Sequence, residues 1–449
     1  MLRWITPASA RSARIATGEI YPGLPAAPVH ERRDSTEARA VVYLTVRFPV
    51  LSEPYVIEEI EALRARGVRV VVFAARRPAR DECWLEKGAY ADECIYLSRI
   101  RLRPLLQSML TCVLSARRLW PICARILFRG SEGPALRLKG LVKIWLGVYL
   151  AQLVRPHAPA HIHVHHGYYT AMLAMVAASL TGITYSVTFH GSDLLLAGKY
   201  LDMKVGSAKF VVTISDYNKQ FLLRLMPATD PAKVFVRRLG VAPAGELAKR
   251  DSVHAPGPRV VLSVGRLHPV KNQEFLIRAC RGLEDLKVDF LCLIVGSGPR
   301  EQSLTTLIRS LGLVERVKLV GAVPPSQMPR FYALADVCVL TSTSEGIPLV
   351  LMEAMHHGVP VLAPRITGVP ELVIDGKTGF LYEPNDLRDL TDHLRWILTM
   401  GGQVEALRAT AYRHVRTHYD ARRNVELVAD LMISMVHPGR SAAAGPVPR

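Results

Sequence analysis

Short apolar strands alternate with helical segments along most of this chain, and this alternation is the feature that most limits the folds it can adopt. Residues 41–46 form a β-branched run, a helical pattern begins at Glu53 and ends at Gly67, and residues 68–73 form the next predicted strand. Two strands joined by a helix within about 35 residues are typical of a βαβ unit, whose strands are parallel. The same order restarts at residues 260–264. The sequence therefore predicts an α/β fold with parallel sheets.

The alternation falls into two halves of similar size, separated by a stretch that contains Pro, Ala and Gly. A length of 449 residues suits two large α/β domains that face each other across a cleft. The predicted organisation is a flexible basic leader over 1–39, an N-terminal domain over 40–241, a linker over 242–258, a C-terminal domain over 259–415, a helical segment over 416–440 that can cross back to the first domain, and a frayed tail over 441–449.

The chain is strongly basic, with 57 Lys and Arg against 39 Asp and Glu and a net charge of +18. More than half of this excess lies in residues 97–155, where eleven basic side chains and one acidic side chain stand among apolar residues at helical spacing. Basic amphipathic helices of this kind suit an anionic membrane surface. The alternative is a set of ordinary domain helices whose cationic side is solvated. The segment lacks interleaved aromatic residues and any helix-turn-helix or RRM signature, so we expect no nucleic-acid partner.

Cysteine spacing and hydropathy indicate where such a chain works. No apolar stretch reaches the roughly 18 residues of a transmembrane helix, and the leader has no apolar core typical of a secretory signal. The seven cysteines form no C-x-x-C pair, so we expect reduced thiols rather than a zinc ribbon or a redox site. These features predict a cytoplasmic protein that binds the inner face of the cell membrane peripherally.

Cationic residues follow the first strand of the C-terminal half. Gly265 permits a tight exit from that strand, and Arg266 and Lys271 place two cations within six residues. Such a pair suits a diphosphate, because both side chains donate hydrogen bonds to phosphate oxygens. A second turn, which contains Gly298 and opens a helix, has free N–H groups that a nucleotide can approach. Alone, a glycine turn of this kind is unspecific.

Two glutamates eight positions apart stand at the start of a later helix. Glu345 lies just before the predicted helix, and Glu353 lies about two turns inside it. Between them, Gly346 and the residues after it put backbone N–H groups at the positive end of the helix. A carboxylate on an otherwise apolar helix needs hydroxyl partners, which a ribose diol supplies. The alternative is a solvent-facing helix with a glycine cap.

Taken in this order, these motifs resemble the retaining glycosyltransferases of family 4. The resemblance implies the GT-B fold, in which two Rossmann-like domains with parallel sheets face each other across a deep cleft. It covers roughly residues 40–435. In the first half, three segments are similar to bacterial exopolysaccharide transferases of the colanic-acid type: residues 48–53, 161–165 and 188–193.

The resemblance implies a UDP- or GDP-linked sugar as co-substrate, bound mainly by the C-terminal domain. Arg266 and Lys271 would neutralise its diphosphate, and Glu353 would hold the ribose hydroxyls. Glu345 would contact the transferred sugar, and His190, at the end of a first-domain strand, would reach a sugar hydroxyl across the cleft. The donor site would further include Gly265, Gly298, Gly346, Ile347 and Pro348.

The first domain is then the acceptor domain, with Ser52, Glu53 and Asp193 on its acceptor side. Two alternatives stay open: Ser52 and Glu53 cap the first helix, and Asp193 orients a turn. The sequence also departs from the family, because many members have a paired-glycine loop after the first strand. Residues 47–52 contain no glycine at this place, so the acceptor side can be arranged differently.

The resemblance further implies that neither a metal nor a cofactor is needed, because the two cations do the work of Mg²⁺ in such enzymes, and the absence of a D-x-D pair fits this. His161, His163 and His165 can share one face of a strand, and His166 follows them. No cysteine or carboxylate near them in the sequence completes a metal-ligand set, so we expect a strand of partly buried imidazoles.

These inferences combine into one predicted function. The chain is expected to be a retaining, metal-independent hexosyltransferase that moves a sugar to a lipid-linked or glycan acceptor in bacterial exopolysaccharide or cell-envelope glycan synthesis. The alternative is a non-catalytic nucleotide-sugar-binding subunit of a membrane-associated assembly complex.

Overall fold

The computed structural model describes residues 40–79, 83, 88–129, 132–242, 257–399 and 405–436. The predicted leader, the predicted tail and residues 243–256 of the predicted linker lie outside this part of the chain. The described residues form two parallel sheets, one of seven strands and one of six, flanked by helices. The predicted fold class, two α/β domains with parallel sheets, is confirmed.

The first domain contains the larger sheet. Its strands are β1 (Ala40–Arg47), β2 (Val70–Arg76), β3 (Ile95–Tyr96), β4 (Pro159–His165), β5 (Thr184–Phe189), β6 (Phe210–Thr213) and β7 (Val234–Val236). They pair in parallel in the order β3-β2-β1-β4-β5-β6-β7. The strand order reverses between β1 and β4, and ligands of such sheets bind beyond the carboxyl ends of the strands at this point.

The second domain repeats this plan. Its strands are β8 (Arg259–Val264), β9 (Phe290–Val295), β10 (Val317–Gly321), β11 (Val337–Val339), β12 (Val361–Pro364) and β13 (Phe380–Tyr382). Their order is β10-β9-β8-β11-β12-β13, which reverses between β8 and β11. The segments after these two central strands carry the cationic and acidic motifs of the C-terminal half, so the topology brings those motifs together.

Helices cover both sheets. The first domain contains α1 (Pro54–Ala65), α2 (Gly88–Glu93), α3 (Leu102–Leu114), α4 (Ala116–Phe128), α5 (Pro134–Val154), α6 (Tyr169–Thr181), α7 (Ser192–Leu195), α8 (Leu201–Gly206) and α9 (Asp216–Leu225). The remaining helices are α10 (Gln273–Asp285), α11 (Glu301–Ser310), α12 (Met328–Leu334), α13 (Leu349–His356), α14 (Val369–Leu372), α15 (Leu387–Thr399), α16 (Glu405–His418) and α17 (Ala421–Val436).

The last helix, α17, packs on the first domain. Val428, Ala429 and Met432 are buried in one apolar cluster with side chains of α1 and of the first sheet. The chain returns from α16 to the first domain beside the segment that follows β7, where the Val241 N–H donates to the Tyr419 carbonyl oxygen at 2.9 Å. The predicted boundary between residues 415 and 416 falls inside α16, because that helix continues to His418.

The basic segment 97–155 contains helices of two kinds. α5 packs against α6, and its C-terminal half is largely buried. The expectation of a basic amphipathic helix does not describe this half. α3 and α4 cover α5 from outside, and their outward apolar side chains are exposed, with Val113 and Leu114 at 74% and 76%. Within the described residues, no helix is long and apolar enough to cross a membrane.

Candidate active site

The two domains meet through glycine backbone beyond the carboxyl ends of their strands. Gly191 follows β5 and has a φ of +142°, and a Cβ there would lie 2.8 Å from the backbone nitrogen of Gly346. A Cβ on Gly346 would lie 2.1 Å from the carbonyl oxygen of His190. Both positions therefore require glycine for this approach, which brings the predicted site residues of the two domains to one place.

An ion pair joins two of the predicted catalytic residues. The Lys271 ammonium lies 2.7 Å from Oε1 of Glu345, and the two side chains are only 22% and 12% exposed. Lys271 ends a short 3-10 turn after β8, and Glu345 lies in the segment after β11. Because these strands are neighbours in the sheet, their exits place the two charges side by side. The pair holds a cation at the cleft in a defined position.

Arg266 extends from the same strand exit toward the first domain and is exposed. Its positive charge acts on the hydroxyl groups of Tyr55, on α1, and of Tyr168, both of which lie across the cleft. Burial raises the pKa of the Tyr55 hydroxyl well above its usual range, nearby carboxylates add to this, and Arg266 acts in the opposite direction. The same opposing influence of Arg266 acts on the pKa of Tyr168, which burial raises. The guanidinium is therefore a second cation at the cleft.

The predicted donor-site glycines serve close backbone packing. A Cβ on Gly298 would lie 2.5 Å from the carbonyl oxygen of Leu267, so this turn packs directly on the segment after β8. Gly265 differs, because a Cβ there would lie at an ordinary distance of 3.6 Å from the Lys271 side chain, and it is its φ of +158° that favours glycine. The Ile347 side chain is 4% exposed and buried in the core of the second domain, so a donor contact of this residue would come from its backbone. Pro348 is the residue that precedes α13.

Glu353 lies on α13 and is bonded inside the protein. The Tyr332 hydroxyl donates to its Oε2 at 2.5 Å, and burial raises the pKa of the carboxyl. Since α13 begins at Leu349, Glu353 lies one turn inside the helix and not two. Its predicted contact with ribose hydroxyls stays a prediction, but the bond from Tyr332 shows that this carboxylate accepts a hydrogen bond from a hydroxyl group.

His190 is part of a buried hydrogen-bonded chain in the first domain. Its Nε2 lies 3.0 Å from Nδ1 of His165, whose Nε2 lies 3.2 Å from Oε2 of Glu59. The Tyr43 hydroxyl donates to the same glutamate oxygen at 3.1 Å. Burial lowers the pKa of His190 well below its usual range, and the neighbouring His166 and His165 add to this effect. The ring is therefore neutral at physiological pH.

This chain of contacts determines which nitrogen of His190 carries the proton. The Glu59 oxygen is an acceptor, so His165 donates to it through Nε2–H and accepts through Nδ1. His190 then donates through Nε2–H and keeps Nδ1 unprotonated. In the described part of the chain, this Nδ1 atom is buried without a hydrogen-bond partner. It can accept a hydrogen bond from a hydroxyl group.

Glu59 corrects the expectation that no carboxylate stands near the histidines. Ligand-type atoms of Glu59, His163 and His165 lie within 4.8 Å of one another. Both ring nitrogens of His163 are hydrogen-bonded, at 2.8 Å to Ser186 and 3.1 Å to Thr188. Both ring nitrogens of His165 are also hydrogen-bonded, so the buried polar atoms of both imidazoles have partners within the protein. The sequence did not indicate Glu59 as a partner of these histidines, because it is 106 residues from His165.

The predicted acceptor-side residues have different surroundings. Asp193 is buried, and its carboxylate accepts from the backbone N–H groups of Gly167, His190 and Gly191 at 2.7, 3.0 and 2.8 Å, so it orients the turn that follows β5. Glu53 makes no side-chain cap on α1, and Ser52 is exposed.

Glu53 instead approaches His166, with 3.2 Å between Oε1 and Nε2. Burial is the largest influence on the pKa of His166 and lowers it, but the charge and hydrogen bond of Glu53, together with the charge of Asp193, outweigh burial and raise the pKa. Burial likewise acts to raise the pKa of Glu53, and the charge and hydrogen bond of His166, with the charges of His165 and Arg47, lower it overall. The pair lies beside the turn that carries His190, since His166 and His190 have ring centroids 4.5 Å apart.

Comparison with known proteins decides between the possible classes. Residues 246–414 match the family described as Glycosyl transferases group 1, and residues 52–244 match Glycosyltransferase Family 4. The chain is 30% identical over 293 residues to a D-inositol 3-phosphate glycosyltransferase of Actinosynnema mirum, covering 58% of this chain and 70% of that protein. The chain belongs to the family 4 glycosyltransferases.

A putative colanic acid biosynthesis glycosyltransferase of Escherichia coli K12, WcaL, is also similar to this glycosyltransferase. The two are 29% identical over 390 residues, which cover 79% of this chain and 89% of the relative. The crystal structure of Anabaena Alr3699/HepE in complex with UDP and glucose shares the fold, with a TM-score of 0.65 and 16% identity over 88% of this chain and all of that one. The predicted family and its GT-B fold are confirmed.

The structure of this glycosyltransferase also shows a domain contact that sequence analysis missed. Glu371, on α14 of the second domain, accepts from the backbone N–H groups of Asp216 and Tyr217 at 3.0 and 2.6 Å. These groups begin α9 of the first domain, so a carboxylate of one domain caps a helix of the other. Arg238 adds an ion pair to Glu371 at 3.4 Å. Sequence patterns do not show this contact, because Asp216 and Glu371 are 155 residues apart.

Proposed function

We propose that this glycosyltransferase moves a sugar from a UDP- or GDP-linked donor, with retention of configuration, to a lipid-linked or glycan acceptor in bacterial exopolysaccharide or cell-envelope glycan synthesis. The observation that carries the proposal is the Lys271–Glu345 pair, which faces His190 across the glycine contact of the domains. The names of the relatives support it, since WcaL is described for colanic acid biosynthesis and HepE binds UDP and glucose.

The charges at the cleft support a reaction without a metal or other cofactor. Lys271 and Arg266 offer two cations near one strand exit, where they can stabilise the charge that develops on a leaving diphosphate. The departing phosphate can take the proton of the acceptor hydroxyl on the same face of the sugar. Such a front-face transfer retains the anomeric configuration and needs no enzymic nucleophile. His190 would accept a hydrogen bond from a donor-sugar hydroxyl through Nδ1.

The outer surface of α3 and α4 supports a peripheral position at the inner face of the membrane. Exposed apolar side chains include Leu110, Val113 and Trp120, at 60%, 74% and 59%. Arginines such as Arg117 and Arg118 are exposed on the same helical pair. Apolar side chains that enter the headgroup region and cations that meet anionic lipids act together in this kind of binding.

Transfer from a panel of UDP- and GDP-sugars, with thermal shifts to rank the donors, tests the proposed reaction. A donor that binds is expected to raise the melting temperature, since ligands of the native state stabilise it. Arg266→Ala and Glu345→Gln are each expected to lower turnover, whereas Lys377→Ala, which removes an exposed lysine of the same domain, leaves it unchanged. Turnover that does not depend on Arg266 or Glu345 would overturn the proposal. Donor binding without turnover would favour the non-catalytic subunit instead.

Flotation with liposomes tests the membrane part separately. Binding is expected to anionic vesicles, to weaken as salt rises, and to fall in a Val113→Glu/Leu114→Glu double variant. Leu225→Glu, at an apolar position of α9 that is 54% exposed, is the matched control. Equal flotation of the double variant and the control would contradict the assignment. So would tighter binding to DNA in a shift assay over the same salt series.

A further inference from the structure

A second pocket lies in the first domain, outside the contact between the domains. It has a volume of about 320 Å³ and is lined by side chains of α5, α6, α8 and the turns around them. Its polar lining is dominated by three lysines and three tyrosines: Lys143, Lys199, Lys204, Tyr168, Tyr169 and Tyr200. Val46, Met172 and Ala197 add apolar wall.

The three lysines of this pocket differ in exposure: Lys204 is buried, Lys143 is half-buried and Lys199 is exposed. Lys204 is 3% exposed, and its Nζ donates to the carbonyl oxygen of Gly167 at 2.5 Å. Burial lowers the pKa of Lys204 to about 8, and the neighbouring Lys143 adds to the effect. Burial also lowers the pKa of Lys143, as does the charge of Lys139.

The pocket contains positive charge without a matching negative group. Among the described residues, its lining includes no carboxylate. Asp193 acts on Lys204 from outside the pocket, but its carboxylate is already bonded to three backbone N–H groups. Clustered cations in a partly dry pocket cost free energy unless an anion compensates them. The three ammonium groups are donors that suit a phosphate or diphosphate, whereas the hydroxyls of Tyr168 and Tyr200 already bond to Ser192 and to the Leu136 carbonyl oxygen.

The position of the pocket indicates which anion it serves. Tyr168, on its wall, has its hydroxyl 2.7 Å from Oγ of Ser192, the residue after Gly191 at the domain contact. Lys143 belongs to α5, which α3 and α4 cover with their exposed apolar surface outward. The pocket therefore lies between the cleft and the helices that we propose to bind the membrane.

We propose that this pocket binds the phosphate or diphosphate of a prenyl-linked acceptor, with Lys143, Lys199 and Lys204 as its cationic ligands. The inference rests on the proposed function, since it assigns a site to the lipid-linked acceptor. The apolar wall formed by Met172 and Ala197 then accommodates the first part of the prenyl chain. The headgroup is held beside the cleft while the chain remains with the membrane.

Calorimetry with farnesyl diphosphate, inorganic pyrophosphate and farnesol tests the proposal on the full chain. Saturating UDP is present throughout, so that the nucleotide site does not bind the probes. Farnesyl diphosphate is expected to bind at least 10-fold more tightly than either other probe, since it offers both the anion and the chain. The Lys143→Ala/Lys199→Ala variant is expected to lose this binding about 10-fold or more, whereas Lys209→Ala, an exposed lysine elsewhere in the domain, keeps it.

The outcomes separate this inference from the proposed reaction. Unchanged farnesyl diphosphate affinity in the double variant overturns the pocket assignment, provided that its melting temperature matches the wild type. Pyrophosphate that binds as tightly as farnesyl diphosphate overturns the assignment to a lipid-linked ligand. Transfer from the UDP- and GDP-sugar panel is measured in parallel for the wild type and for Lys209→Ala, which are expected to have the same rate. A chain that loses farnesyl diphosphate through the two lysines of the pocket yet transfers sugar from none of the donors supports the pocket and contradicts the proposed reaction.

Discussion

The two domains contribute to the cleft in different ways. The second domain supplies charged groups from the exits of neighbouring strands, with the Lys271–Glu345 ion pair at 2.7 Å and Arg266 beside it. The first domain supplies a neutral imidazole whose hydrogen bonds run back through His165 to Glu59. The second domain therefore supplies the charge at the cleft, and the first domain supplies one hydrogen-bond acceptor in a fixed orientation. Variants that alter one property and keep the other test this division.

Removal of the Lys271 ammonium is expected to have the largest effect. Lys271→Ala leaves Glu345 without its cation and removes one of two positive groups that meet a diphosphate. We expect transfer to fall about 100- to 1,000-fold in kcat, which is typical for loss of a group that stabilises developing charge. Steady-state kinetics with the preferred donor measure this effect.

Lys377→Ala is the control for that variant, because it removes an exposed lysine from the same domain and is expected to keep full activity. A Lys271→Ala enzyme that loses donor affinity but keeps kcat would contradict the proposed role. It would mean that the ammonium binds the donor equally in the ground state and the transition state.

Separation of the two domains by one methyl group is expected to have the next largest effect. In Gly346→Ala the new Cβ would lie 2.1 Å from the His190 carbonyl oxygen, so the domains must move apart. Transfer is expected to fall about 10- to 100-fold, since displacement of reacting groups by roughly 1 Å is costly. Gly206→Ala is the control, because a Cβ there meets nothing within 4 Å. Equal activity of both variants would mean that this contact is not part of the active state.

The second-domain half of the site was largely predictable from sequence. Parallel strands end at one edge of their sheet, so charged residues just after β8 and β11 had to lie close together. The sequence indicated Arg266, Lys271 and Glu345 because each lies within a short motif. The ion pair itself was not predicted, because spacing along the chain does not show that two opposite charges touch. The sequence also did not show that the Ile347 side chain turns into the core, which leaves its backbone for the predicted donor contact.

The first-domain half was less predictable. His190 could be located because it ends a strand, but Glu59 comes from α1 and reaches His165 only when that helix packs across the sheet. Asp193 lies close to His190 in sequence, yet its three backbone partners depend on the fold of the turn. Hydrogen bonds between distant segments require the register of β4 and β5, which hydropathy patterns do not contain.

Interruption of the hydrogen-bond chain is expected to have a smaller effect than loss of a charge. His165→Asn removes the acceptor that fixes the proton of His190 on Nε2, so Nδ1 is unprotonated for only part of the time. We expect kcat to fall about 10-fold with little change in donor affinity. In a His190→Ala background, the same change is expected to have no further effect on kcat.

His161→Gln is the control for that double-mutant cycle. His161 is equally buried on β4 and bonded to Thr184 and Ser186 at 2.7 Å, and neither of these residues is a hydrogen-bond partner of His165, which bonds to His190 and Glu59. Its replacement is expected to lower stability and leave kcat unchanged. Additive effects of His165→Asn and His190→Ala would show that His165 acts on the fold and not through His190.

The smallest predicted effect concerns Glu353, whose carboxylate is buried beside the Tyr332 hydroxyl and has a raised pKa because of that burial. For an acid with a raised folded-state pKa, ionisation destabilises the fold above that pKa, and the cost disappears below the unfolded value of about 4.3. Glu353→Gln is therefore expected to raise the melting temperature by roughly 1 to 2 °C at neutral pH and to lose this advantage near pH 4.5. Donor affinity is expected to fall in the same variant. Glu301→Gln, an exposed position of α11, is expected to change neither property. A stability difference that is constant with pH would mean that the Glu353 carboxyl titrates alike in the folded and unfolded chain, and it would contradict the raised pKa.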